Sequence, residues 1–501
     1  MQKVFKKILA VCICVLFSFI ALAGCSKDYV LKKEAKKLNT YTIDINLDTK
    51  AMTASCYEKF EYKNNTDSIM ENLVFHMYPT AFSDDATIKP YSSVSEARCF
   101  PNGISYGDMK INEVKENGNQ ANFKIVGQDN DKLEIELKNE LDLDDGCEIE
   151  IYFDLIIPNC THRFGYYENN INFANFYPIL AIHENGEFDM TPYYSSGDPF
   201  YSECANYVVT VSCDNNFDVY SSGNKIKESQ NNNIKTQCFE AKAVRDFALV
   251  FGSNFESRCI VQNDTTINYV GYKGDENLDN LLSISAKAVN FFSEIYRTYP
   301  YKELNIIKTP FVHGGMEYPG LVMISDTIEE TEELNKVIVH EVAHEWWYGL
   351  VGVNETNSAW IDEGLAEYST ALFFGSHPEY DISYNNMIND AVMSYTLYVD
   401  IISSINGKIN TKMNLPVNEY INEYEYTYMI YIKGILLFDE LASSVGQDKL
   451  VKALSKITKD FAFSNISDDE FTECIKKYTH INTDNFFKGF LDGNVIIGKL
   501  H

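Results

Sequence analysis

The sequence predicts a multidomain chain of β plus α/β class. An antiparallel β-sandwich-like domain over residues 41–255 precedes a mainly α-helical domain with a small sheet over 256–501. Three observations carry this. A chain of 501 residues is too long for one comfortable core. In the first half the hydrophobic period is two: Tyr41, Ile43, Ile45 and Leu47 alternate with polar residues. From about residue 275 the period becomes that of a helix.

The strands follow in order. KLEIELKNEL repeats the alternation with Leu133, Ile135 and Leu137, and CEIEIYFDLII, NYVVTVSC and DFALVFG are further β-rich runs. Turn clusters KNNTD, GQDND, LDDGC and SSGN separate them. The helical half opens with NLLSISAKAVNFFSEIYRTY, is interrupted by a short strand LNIIKTPFV, and resumes around 334–350, 361–373, 385–402 and 430–445. Two small helices close it, the second opening on Ser467-Asp-Asp-Glu470, a capping box.

The N-terminus reads as a targeting segment. Lys3, Lys6 and Lys7 precede an apolar run from Ile8 to Ala23, too short for a comfortable membrane span of about 20 residues. Leu22-Ala23-Gly24-Cys25 resembles the lipobox of bacterial lipoproteins, which implies removal of residues 1–24 and a lipid on Cys25. Residues 25–40, Lys-rich and polar, read as a tether with a helical turn. The body is then expected outside the cell, on the outer face of the cytoplasmic membrane. Losing residues 1–24 removes three lysines and no acids, so 39 basic residues face 72 acidic ones, a charge of −33. Such a surface excludes nucleic acid as a partner, because phosphate contacts need Lys and Arg. It also argues against electrostatic binding of anionic headgroups. Nine cysteines remain after Cys12, Cys14 and Cys25, none in a CxxC pair, which argues against a thiolate zinc site.

The stretch VIVHEVAHEWW carries the chemistry. On a helix His340 and His344 stand one turn apart on one face and can converge on one metal ion. Glu341 is rotated by about 100° from His340, beside the metal, where a base acting on water belongs. HEXXH arises by chance about once per hundred chains of this size, so context has to decide. Catalytic zinc takes three protein ligands and keeps one position open. Glu363, separated from His344 by eighteen residues and on a second helix, is the candidate third ligand. Glu367, one turn further, is either a partner for a ligand histidine or a surface acid.

HEVAHEWWYGLVGVNETNSAWIDEGLAEY resembles the zinc block of the M1 aminopeptidases of the gluzincin clan. GGMEY, Gly314 to Tyr318, resembles their GAMEN motif, and Tyr431-Ile432-Lys433-Gly434 resembles their Tyr-x-Lys-Gly segment. The resemblance implies a thermolysin-like catalytic domain and one Zn2+ per chain on His340, His344 and Glu363. It implies Glu341 as general base, Tyr431 as oxyanion donor, and Gly314, Gly315, Met316 and Glu317 as substrate-binding residues, with Glu317 on the α-amino group of a peptide. Tyr420, Tyr424, Tyr426 and Tyr428 lack the Lys-Gly spacing. Trp346 and Trp347 read as packing residues, and His313 as a loop histidine.

Some positions depart from the family. Tyr318 replaces the final Asn of GAMEN, Gly315 replaces Ala, a small change, and Glu345 stands where many members carry Gln. FANFYPILAIHENGEFD offers no counterpart of the family's amine-binding glutamine. The chain ends 70 residues after Tyr431, which implies a more open cleft than in longer members. The leading expectation is a lipid-anchored zinc aminopeptidase acting on peptides. A zinc endopeptidase of the same clan and a non-catalytic peptide-binding lipoprotein are the alternatives. Neither oligomeric state nor disulfide pairing follows from the sequence.

Overall fold

In the first strand, Thr40–Asp48, every second side chain is buried, as the alternation of Tyr41, Ile43, Ile45 and Leu47 requires. This is a computed structural model, and it describes residue 27 and residues 29–407 and 409–494. The expected signal segment 1–24 and Cys25 lie outside the described residues. Residues 29–35, within the stretch read as a tether, are helical and packed down. Leu31 is buried, Asn206 Nδ2 donates to the Ala35 carbonyl at 2.8 Å, and Lys27 Nζ donates to the Asn263 carbonyl at 2.6 Å.

Eight strands form the main sheet of the first half, in the order Asn224–Asn231, Ile234–Val244, Ala205–Asp214, Thr40–Asp48, Thr53–Lys63, Gly146–Ile156, Asp108–Glu116, Asn119–Gln120. All neighbours are antiparallel except Thr40–Asp48 with Ala205–Asp214. The domain expected to be antiparallel is so apart from that one parallel pair. The chain passes through other sheets before it returns, and such a long crossover permits parallel pairing. A four-stranded sheet built on Met70–His76 and Lys132–Leu141 covers one face. Phe60 meets Phe75 edge-on across the layers at 5.5 Å. A second four-stranded sheet, Asp218–Ser221, Leu249–Gly252, Asn170–Phe173, Phe164–Tyr167, leads towards the helical half.

The helical half is built on five strands in the order Phe255–Gln262, Thr265–Tyr272, Glu303–Thr309, Leu321–Ser325, Gly315–Tyr318. The last of these is an antiparallel edge strand bearing Glu317. Helix α1 (Leu278–Ile295) links the second and third of these strands, and α2 (Thr331–Ala343), α3 (Asp362–Ser376), α4 (Tyr384–Asn406) and α5 (Lys433–Val445) come after the sheet. The capping box forms at Ser467 and Glu470. Helix α2 stops earlier than the expected 350. The chain turns inward after His344, with Gly349 N–H donating to the His344 carbonyl at 2.9 Å. Trp346 and Trp347 are then buried against α1, their rings 5.6 Å from Phe292 and 5.1 Å from Tyr296. Among the described residues no helix is long and apolar enough to cross a membrane, and the nine cysteines there are free thiols.

Candidate metal centre and active site

Helix α2 carries His340 and Glu341 in its last turn and presents His344 as its C-terminal cap. The two imidazoles meet with Nε2 atoms 3.0 Å apart. Glu363, the second residue of α3, brings Oε2 to 3.2 Å from His340 Nε2 and 3.3 Å from His344 Nε2. Tetrahedral bonds of about 2.0–2.1 Å place donors roughly 3.3 Å apart, so this triangle fits one zinc-sized ion. The remaining imidazole nitrogens face protein groups. His344 Nδ1 lies 3.0 Å from the Trp347 carbonyl and His340 Nδ1 lies 3.2 Å from Glu367 Oε1. Those contacts orient each ring so that Nε2 faces the centre.

The electrostatics also ask for a cation. Burial opposes charge on His344, but Glu317 and Glu363 outweigh it and hold its pKa up at about 10. His340 is raised in the same way, with Glu363 and Glu367 overcoming burial. Burial would lift the Glu363 carboxyl, yet His344 and His340 hold it well below the usual range. Two imidazoles and one carboxylate form the donor set of a catalytic zinc site. Beside them Glu341 is buried, its Oε2 without a hydrogen-bond partner among the described residues, and burial pushes its carboxyl up to about 7.

Tyr431 reaches the same centre, its hydroxyl donating to Glu363 Oε1. It lies in a π-helical turn, Tyr428–Ile432, that leads into α5. Such a turn shifts a side chain's direction on the helix and is frequent at functional sites. Of the neighbouring tyrosines, Tyr428 stacks on Tyr398, Tyr424 is exposed, and Tyr426 lies with its ring 6.0 Å from Tyr431. Glycines set this geometry. Gly364 follows Glu363 and Gly434 follows the Tyr431 turn, and a Cβ built on Gly434 would stand 2.8 Å from Gly364 Cα. The two glycines let α3 and α5 cross closely enough for Tyr431 to reach Glu363.

The edge strand forms the opposite wall of a cavity of about 470 Å3 that contains the donor triangle. Gly314, Gly315 and Glu317 line it; the Met316 side chain, alternating, turns into the core. The change at Gly315 is larger than its sequence suggests, because a Cβ there would meet the Glu341 carboxylate at 2.3–2.5 Å. Tyr318 points away and donates to Asn175 Oδ1 at 2.6 Å. Glu345 is buried behind the site, accepting from Tyr299 at 2.9 Å and from Gly320 N–H at 3.1 Å. That ties the zinc-site turn to the hairpin carrying Glu317.

Sequence reasoning missed Asp198. Its carboxylate and those of Glu317 and Glu363 offer oxygens within 4.8 Å of one another. Arg163 Nη2 holds Asp198 Oδ1 at 2.8 Å. Burial raises Glu317 well above the usual carboxylate range; His344 opposes this, while Asp198, Glu341 and Glu363 add to it. Asp198 sits in a loop with no motif, so only the fold reveals it. His313, read as a loop histidine, is in a loop but also lines the cavity.

Comparison with known proteins adds to this geometry. Residues 281–490 match the family model described as Peptidase family M1 domain. Aminopeptidase N of Rattus norvegicus is 29% identical over 202 residues, which is 37% of this chain and 20% of the relative. Aminopeptidase N of Lactobacillus helveticus is 26% identical over 229 residues, 43% of this chain and 26% of the relative. The match thus spans about a fifth to a quarter of the length of these relatives. Among solved structures, an M1 zinc metallopeptidase from Deinococcus radiodurans superposes with a TM-score of 0.66 at 15% identity, over 92% of this chain and 94% of that one. A mutant of it bound to a Tyr-Ser-Ala substrate gives 0.62 at 14% identity, over 92% and 95%. At that identity the likeness is one of fold, and it covers both halves of the chain.

Proposed function

With residues 281–490 belonging to the peptidase M1 family as premise, we propose that this chain is a zinc-dependent aminopeptidase that removes N-terminal residues from peptides. The observation that carries the reading is the donor triangle of His340, His344 and Glu363, with 3.0–3.3 Å sides and the unpartnered Glu341 carboxylate beside it.

A zinc ion held there supplies Lewis acidity, polarising a carbonyl and acidifying water. Glu341 takes a proton from the attacking water as its oxygen bonds to the scissile carbonyl carbon. The same carboxyl then gives that proton to the amine nitrogen as the C–N bond breaks. Tyr431, whose hydroxyl proton now rests on Glu363, turns it towards the oxygen on which negative charge develops. Glu317 and Asp198 present two carboxylates on the cleft wall, and the free ammonium of a peptide is their natural counter-charge. That pair supports exopeptidase over endopeptidase action. The basic start, apolar run and Leu22-Ala23-Gly24-Cys25 support export and a lipid on Cys25.

The test combines zinc analysis with a panel of aminoacyl fluorogenic substrates, with and without chelator. Glu341→Gln should keep its zinc and lose roughly 10²–10⁴-fold in kcat. N-acetylated peptides should be left intact. A folded protein that takes up no zinc, or a Glu341→Gln variant that still turns over, would overturn the reading.

A further inference from the structure

We infer that the hairpin Phe255–Gln262 and Thr265–Tyr272, together with the N-terminal helical segment, is the face that rests on an anionic bilayer surface. The inference depends on the proposed lipid at Cys25. It goes further by saying which way up the lipid holds the protein.

Lys27 and residues 29–35 are fixed to the fold. Lys27 Nζ donates to the Asn263 carbonyl at 2.6 Å and to Thr265 Oγ1 at 3.2 Å, both at the hairpin's turn. Leu31 is buried in the core, and Asn206 Nδ2 holds the Ala35 carbonyl. Cys25 is two residues before Lys27, and two residues reach at most about 7 Å. An acylated Cys25 therefore brings the membrane surface to the tip of this hairpin.

The surface found there suits a headgroup layer. Phe255–Gln262 is the edge strand of its sheet. Near its tip Val261 is 71% and Ile260 43% exposed, next to exposed Cys259, and Tyr29 on the helical segment is 69% exposed. An apolar sheet edge is an aggregation liability in water unless something covers it. Charge agrees: residues 27–37 carry five lysines against two acids, net +3, in a chain of −30. Lys32, Lys33 and Lys36 are exposed, and Asp264, the acid of the turn, faces Lys27. Basic groups this close to an acylated residue favour anionic lipid. This revises the sequence expectation that the acidic chain avoids anionic headgroups: the acidity is global, while the segment beside the anchor is basic. The edge strand with Glu317 lies at the other end of the same sheet. Four strand spacings, roughly 19 Å, separate the two edges, so the cleft stands clear of the membrane.

Cys259 is a built-in reporter. Full-length protein is extracted in detergent, labelled at Cys259 with an environment-sensitive fluorophore, and returned to vesicles of phosphatidylethanolamine and phosphatidylglycerol. A reference is labelled at Ile421→Cys in a Cys259→Ser background; Ile421 is 79% exposed and close to the cleft residue Glu423. Vesicles should lower quenching of the Cys259 probe by iodide severalfold and leave the reference unchanged. Replacing Lys32, Lys33 and Lys36 with Glu should remove most of that protection. Equal quenching at both positions, with the acyl group confirmed by mass spectrometry, overturns the orientation alone. An N-terminal peptide without an acyl group overturns the anchor and the inference together. Full protection in the triple variant overturns the charge argument.

Discussion

Replacing Gly434 with Ala tests whether close helix crossing is what assembles the site. The new Cβ would sit 2.8 Å from Gly364 Cα and 3.5 Å from its nitrogen. Ordinary contact begins near 3.4 Å, so α3 and α5 must separate by roughly 0.6 Å or more. Two stability effects oppose each other. Ala is favoured over Gly in a helix interior by about 1 kcal/mol, and overpacking costs about 1–3 kcal/mol. The net loss should be about 0–2 kcal/mol, a small shift in melting temperature. Activity should suffer more. Glu363 immediately precedes one glycine and Tyr431 lies three residues before the other, so the separation falls on the Tyr431–Glu363 contact. A misplacement approaching 1 Å costs up to about 10²-fold in rate. The assay is kcat/KM on an aminoacyl substrate beside zinc content and thermal melting. A variant about 1 kcal/mol more stable with unchanged kcat/KM would refute the reasoning, because the glycine would then have no packing role.

The other predictions concern single groups. Gly315→Ala should lower kcat and leave the melting temperature nearly unchanged, since the added Cβ displaces the flexible end of Glu341; unchanged kcat would show that Glu341 works from another position. Asp198→Asn should raise KM for free-amine peptides roughly 10–100-fold, the worth of one charge-assisted contact, and an unchanged KM would remove Asp198 from amine recognition. Glu58 is buried between the β layers with both oxygens unpartnered among the described residues, and burial raises its carboxyl well above 4.5. Its folded form keeps the proton longer than the unfolded chain, so its ionisation adds no cost below pH 4.5. Above that it lowers stability by about 1.4 kcal/mol per pH unit until its folded pKa is passed. Melting curves of Glu58→Gln and the parent should therefore diverge as pH rises from 5 to 8; a pH-independent gap would contradict this.

The fold was legible where periodicity is local. Alternation marked Thr40–Asp48, Lys132–Leu141 and Gly146–Ile156 because one face of each meets a core. Sheet partners were not legible: the parallel pairing of Thr40–Asp48 with Ala205–Asp214 depends on a crossover through other sheets. The end of α2 is not legible in the sequence, because Glu345, Trp346 and Trp347 fit a helix by propensity. The chain instead turns to bury both indoles, and Trp346 Nε1 donates to the Arg297 carbonyl at 2.7 Å. Tertiary packing overrides propensity there.

The site divides along the same line. His340 and His344, at the end of α2, and Glu363 and Glu367, on α3, come from two helices, and helical spacing alone aligns each pair on one face. Their convergence needs only that α2 and α3 pack together. Glu317 and Tyr431 come from a strand and a π-turn, and only their motifs marked them. Asp198 shows the limit. It reaches the cavity from a loop of the first half, and a buried arginine from a different segment holds it there. That placement follows from how the two halves dock, and no local pattern encodes it. The donor triangle is therefore a property of one domain's helices, while the wall bearing Glu317 and Asp198, which in the proposed function meets the peptide's amino terminus, is shared with the other. Substrate choice in this chain should accordingly respond to substitutions in the 189–204 loop that leave zinc content and kcat unaltered.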